Sequence, residues 1–116
     1  MGRLTTHVLD TSLGSPAQGI QVELYRLAPD RIKAGQGITN TDGRLDGALL
    51  EGDEFTAGDY ELLFLAGDYF DRNGQVEPER KFLDKVVIRF CVSDPDAHYH
   101  VPLLLSPFGY TTYRGS

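Results

Sequence analysis

Short runs in which apolar and polar side chains alternate, each closed by glycine, proline or aspartate, constrain this chain more than any other feature. In residues 20–27, Ile20, Val22 and Leu24 fall on one face and Gln21, Glu23 and Tyr25 on the other, as in a strand with one buried side. Residues 85–92 repeat the pattern, with Val86, Ile88, Phe90 and Val92 opposed to Val87, Arg89 and Cys91. In residues 4–10, Thr5, His7 and Leu9 share a face opposite Thr6, Val8 and Asp10. In residues 99–105, Tyr99, Val101, Leu103 and Leu105 make the better core face, while His98, His100, Pro102 and Leu104 point outward. Residues 33–40, 59–65 and 110–113 are further strand candidates. Turn chemistry separates them: LGSPAQG at 13–19, Asp42-Gly43, and Pro107 with Gly109. One helical passage is expected, at 68–73 and ending at Gly74, and residues 76–81, which hold Pro78, read as a loop. Seven or eight short strands with one short helix predict a mainly β chain folded as a β-sandwich.

The 116 residues form one expected domain, 1–116, long enough to bury roughly two-thirds of the unfolded surface. The net charge of -6 argues against nucleic acid or a membrane surface as partner, because both require a basic patch, but it leaves room for a local positive pocket. No run approaches the ~20 apolar residues of a membrane span. The N-terminal MGRLTTHVLD has no apolar stretch of signal-peptide length. Cys91 is the only cysteine, which precludes an intramolecular disulfide, and it reads as a packing residue beside Arg89. These features set the expectation of a cytoplasmic protein.

The chemical inventory is short. His7 lies within a strand, where a histidine is ordinarily structural. His98 and His100 share the outer face of theirs, which still carries Pro102 and Leu104, and a partly apolar outer face suits a pocket or a second subunit. A His-x-His pair with His7 has the makings of a three-histidine metal site, but no cysteine or carboxylate stands at a fourth-ligand spacing, and no metal is expected. Arg44 follows the Asp-Gly turn directly; by itself it is a solvated turn residue, and in a pocket it is a permanently charged fork for an anion. Arg114, Tyr113 and Ser116 close the chain. No nucleophile elbow, phosphate loop, CxxC or dinucleotide fingerprint is present.

Three segments together say more than any one residue. LTTHVLDTSLGSPAQG at 4–19, TNTDGRLDG at 39–47 and HYHVPLLLSPFGYTTYRGS at 98–116 resemble the transthyretin-like family, in particular its 5-hydroxyisourate hydrolase branch. The similarity runs the length of the chain, and the terminal YRGS is its discriminating motif. The resemblance implies a prealbumin-like sandwich with one short helix. It also implies a homotetramer whose sites lie in a channel between dimers. It implies His7, Arg44 and His100 as the catalytic set, with Tyr113, Ser116, Arg114 and His98 as substrate-binding neighbours. The implied reaction is hydrolysis of a small cyclic amide, 5-hydroxyisourate, to 2-oxo-4-hydroxy-4-carboxy-5-ureidoimidazoline, with no cofactor. A carrier of small molecules, as transthyretin is, remains the alternative on the same fold.

Overall fold

The computed structural model describes residues 1–115. Two sheets face each other across one apolar core. The first contains β1 (Arg3–Asp10), β2 (Ser15–Pro16), β5 (Leu50–Glu51), β8 (His98–Ser106) and β9 (Gly109–Thr112), and the second contains β3 (Gln21–Arg26), β4 (Ile32–Ile38), β6 (Gly58–Leu65) and β7 (Lys85–Val92). Order in the second sheet is β4-β3-β6-β7, all antiparallel. In the first, β1 and β8 run parallel over their full length, with Thr5 opposite His100 and His7 opposite Pro102. β9 folds back antiparallel on β8 through the turn at Pro107 and Phe108.

The alternation fixes which faces meet. Leu4, Val8, Val22, Leu24, Leu62, Phe64, Leu103 and Leu105 are fully buried, and the inward residues of β7 are buried apart from half-buried Phe90. Burying such a side chain contributes about 1.5–3 kcal/mol, so the period-two pattern sets each strand's orientation. Of the outward residues of β1 and β8, Arg3 and His98 are exposed, Thr5, His7, Leu9, His100, Leu104 and Ser106 are half-buried and Pro102 is buried, which leaves a largely polar surface on the first sheet. The sequence expectation of a two-sheet sandwich holds, with differences at the small elements. Residues 15–16 and 50–51 pair with opposite ends of the same edge of β1, although two-residue bridges carry no periodicity to betray them. The helix, α1 (Ala66–Asn73), begins two residues earlier than expected, because Ala66, Gly67, Tyr69 and Phe70 are drawn into the core. It ends at Gly74 in the left-handed conformation, φ 63°. The expected loop at 76–81 contains one 3₁₀ turn, Pro78–Arg80. Cys91 is exposed rather than packed, and the neighbouring Asp59 raises its thiol pKa.

Asp10 ties the end of β1 to the helix. Its buried carboxylate accepts hydrogen bonds from Tyr69 Oη at 2.7 Å, Gln75 Nε2 at 3.0 Å, Ser12 Oγ at 2.6 Å, and the amides of Ser12 and Leu13. Burial would raise the Asp10 pKa, but the hydrogen bonds outweigh it and hold the carboxyl below the usual range. The same pairing and burial push the Tyr69 phenol well above its ordinary value. Removing the acceptor strands a buried hydroxyl, which costs about 3 kcal/mol together with the lost bonds. Asp10→Ala is therefore expected to lower urea-unfolding stability by about 3 kcal/mol. The lowered carboxyl also makes wild-type stability fall as pH drops through the acidic range below ~4, a dependence Asp10→Ala weakens.

Candidate active site

Parallel pairing of β1 with β8 sets Thr5, His7, His98, His100 and Pro102 on one outer face. Arg44 reaches that face from a different direction. Its residue forms an isolated antiparallel bridge with His7, filling the edge of β1 between β5 and β2. The turn before it is tightly organised. Asn40 Oδ1 accepts the amides of Asp42 at 2.9 Å and Arg44 at 3.2 Å, and the Asn40 amide donates to the Arg44 carbonyl at 2.8 Å. Gly43 has φ 75°, its carbonyl accepts the Val8 amide at 2.8 Å, and a Cβ there would lie 2.4 Å from the Val8 carbonyl oxygen. Only glycine lets the turn lie flat on β1 and deliver Arg44 beside His7.

The chain end supplies the last wall. β9 stops at Thr112, one residue short of the expected strand, and the backbone then bends so that Gly115 bridges His100, its amide donating to the His100 carbonyl at 2.7 Å. A Cβ on Gly115 would stand 2.7 Å from His100 Cδ2, so the glycine backbone lies directly against the imidazole. The result is a cleft of about 440 Å³ walled by Arg3, Thr5, His7, Arg44, His98, His100, Pro102, Tyr113 and Gly115. The His7 and His100 ring centroids are 6.5 Å apart, tilted by 31°. That separation leaves space for groups of a small substrate between them. Thr5 Oγ1 and His100 Nδ1 form a hydrogen bond of 2.8 Å.

Five of the sequence-predicted residues thus converge: His7, Arg44, His98, His100 and Tyr113. Ser116 lies outside the described residues. Arg114 turns away. Its guanidinium sits 4.0 Å above the Tyr99 ring and donates to the His98 carbonyl at 3.2 Å, lining a smaller apolar recess with Ile88, Phe90 and Val101. The family resemblance implied Arg114 as a substrate-binding residue, but alternate residues of an extended segment point to opposite sides. Sequence reasoning passed over Thr5, whose only sequence signal was a shared face with His7, and Arg3, which stands on the same face. Among the described residues, no three His, Cys, Asp or Glu side chains come together as metal ligands.

Electrostatics set the protonation of His100. Its own burial, then the Arg44 charge, then His7 lower its pKa below the ordinary imidazole value. The ring is therefore neutral at neutral pH, able to take a proton rather than hold one. Stability from this group is fully present above the ordinary pKa of ~6.5 and is lost as pH falls through the depressed one. An NMR titration of the His100 imidazole should show a midpoint below ~6.5, moved upward by Arg44→Gln; a wild-type midpoint at or above that value contradicts the electrostatic account.

The chain as a whole is similar to known proteins. The profile of the HIUase/Transthyretin family matches residues 4–115. 5-hydroxyisourate hydrolase 2 of Rhizobium meliloti is 58% identical over 116 residues, covering 99% of this chain and 97% of its own length. A crystal structure of (S)-allantoin synthase superposes with a TM-score of 0.94 at 47% identity over 99% of this chain, which spans only 44% of that longer protein. Sea bream transthyretin, solved in complex with thyroxine, superposes with a TM-score of 0.87 at 26% identity, covering 97% of this chain and 94% of its own. The prealbumin-like sandwich expected from the sequence is the observed one, and the chain belongs to the HIUase/Transthyretin family.

Proposed function

We propose that this chain hydrolyses 5-hydroxyisourate, opening its cyclic amide with water to give 2-oxo-4-hydroxy-4-carboxy-5-ureidoimidazoline. The observation that carries this reading is the convergence of His7, Arg44 and His100, from three distant segments, on one polar cleft. Full-length identity of 58% to a curated 5-hydroxyisourate hydrolase supports it. Water adds to the ring carbonyl carbon, the C–N bond breaks, a carboxylate forms, and the departing nitrogen gains a proton. One histidine takes the proton from water, and the other serves the leaving nitrogen. The Arg44 guanidinium holds the electron-rich substrate and stabilises the oxyanion, an effect worth roughly 3 kcal/mol per donor in such sites. His98 and Tyr113 wall the substrate's cleft, Ser116 is assigned to substrate binding, and Arg114 props the terminal segment through Tyr99 and the His98 carbonyl. No cofactor takes part. The carrier reading is not favoured: a cleft with three histidines and two arginines is a poor match for an apolar ligand.

The chain acts as one domain, in the cytoplasm, as a homotetramer whose clefts lie between dimers. Exposed Phe108 and Tyr110 on the β8–β9 hairpin, and exposed Tyr113 just beyond it, support a second copy on this side, as do the edge positions of β7 and β9.

With 5-hydroxyisourate generated by urate oxidase, its absorbance should decay faster in the presence of this protein. His100→Ala and Arg44→Gln should each lower kcat/KM by about 100-fold or more while thermal unfolding stays cooperative. Turnover near wild type in both variants, or no acceleration by the wild type, refutes the reading. Sedimentation is expected to give the mass of four chains, and a monomer would rule out sites built between dimers.

A further inference from the structure

Thr5 and His100 are 95 positions apart in the chain, yet they are direct register partners across the parallel pair β1–β8. Their side chains meet at 2.8 Å, Oγ1 to Nδ1, and Thr5 has no other side-chain hydrogen bond among the described residues. A neutral imidazole carries one N–H and one lone pair, and whatever engages one nitrogen decides what the other can do. Nδ1 is engaged by a neutral hydroxyl, so Nε2 is the nitrogen available to the cleft. Among the described residues Nε2 has no hydrogen-bond partner. The charged groups that bear on the ring are Arg44, whose guanidinium only donates, and His7, which forms no hydrogen bond with His100 among the described residues. A lone pair is therefore favoured on Nε2, and the proton belongs on Nδ1.

We propose that Thr5 is a positioning residue for the hydrolysis: its hydroxyl accepts the Nδ1 proton of His100, leaving Nε2 bare as the nitrogen that takes the proton from water. The proposal rests on the hydrolase reading above and assigns the base that the sequence left open between His7 and His100. His7 then serves the leaving nitrogen. The proton balance is simple: Nε2 gains the proton of the attacking water, Nδ1 keeps its own, and the Thr5 oxygen holds the resulting imidazolium by the same hydrogen bond. Gly115, pressed against the Cδ2 edge of the ring, and Thr5, at Nδ1, together prevent the imidazole from turning over.

Thr5→Val keeps the branched shape that a strand favours and removes only the hydroxyl's bonding. In wild-type protein with 15N-labelled histidine, NMR at neutral pH should show His100 protonated on Nδ1. In Thr5→Val the tautomer should redistribute toward Nε2–H, kcat should fall about tenfold, the weight of one ordinary hydrogen bond, and KM should stay within about twofold. Thr5→Ser should restore the Nδ1–H tautomer and most of kcat, which a merely structural role for Thr5 would not require. Should Thr5→Val weaken the strand, Thr5→Ala gives the same comparison. A wild-type ring protonated on Nε2, or a Thr5→Val protein with unchanged tautomer and kcat, overturns the proposal, as does a Thr5→Ser protein no better than Thr5→Val. Wild-type protein that leaves 5-hydroxyisourate untouched overturns the hydrolase reading and Thr5's catalytic consequence with it, while the tautomer measurement judges the hydrogen bond separately.

Discussion

The parallel pairing of β1 with β8 is the interaction on which everything else at the cleft depends. It joins the first strand of the chain to the eighth, and its register alone decides that Thr5 faces His100 and His7 faces Pro102. A slip of one residue would turn the histidines of one strand into the core and bring Leu4, Val8, Tyr99 or Leu103 to the surface. The core therefore guards the site. Burial of the inward residues on both strands makes any other register costly, and the outward residues take their places as a consequence. Arg44 and Gly115 then dock against the two strands already held, each through a single backbone bridge.

The charge distribution follows the same logic. The chain is acidic, with a net charge of -6, yet the cleft gathers Arg3, Arg44 and three histidines. Carboxylates are placed elsewhere: Asp10 is buried against the helix, and Glu61 on the outer face of the second sheet binds Arg31 at 2.7 Å and Arg89 at 3.0 Å. Two permanently charged arginines in a cleft without carboxylates give a negative protein one place on its surface that favours a small anion.

Much of this was legible from residue order. Period-two patterning located the long strands and their core faces, because each inward side chain contributes burial energy at a regular spacing. The Asp42-Gly43 turn announced itself, since the backbone there requires a positive φ. What stayed hidden has a common cause. The bridges at 15–16 and 50–51 are too short to have a period, and the helix start was set by packing rather than propensity. The Asp10–Tyr69 bond joins residues 59 apart, and the Thr5–His100 bond joins residues 95 apart. Arg114 shows the reverse limit: the family resemblance implied a place in the cleft, and the alternation of an extended backbone sent it to the other side.

The bridge between Gly115 and His100 has a bearing on how the protein loses and gains competence. Among the described residues, the Gly115–His100 backbone hydrogen bond and the Arg114 contacts with Tyr99 and the His98 carbonyl hold the terminal segment against the imidazole, whereas two facing sheets hold the core. Local opening of a segment held by so few contacts costs less than global unfolding. Folding meets the same asymmetry from the other direction. Hairpins such as β6–β7 can form from nearby residues, but the site waits for the contact of longest sequence separation, between the two ends of the fold. A partly folded chain therefore has no partly active cleft.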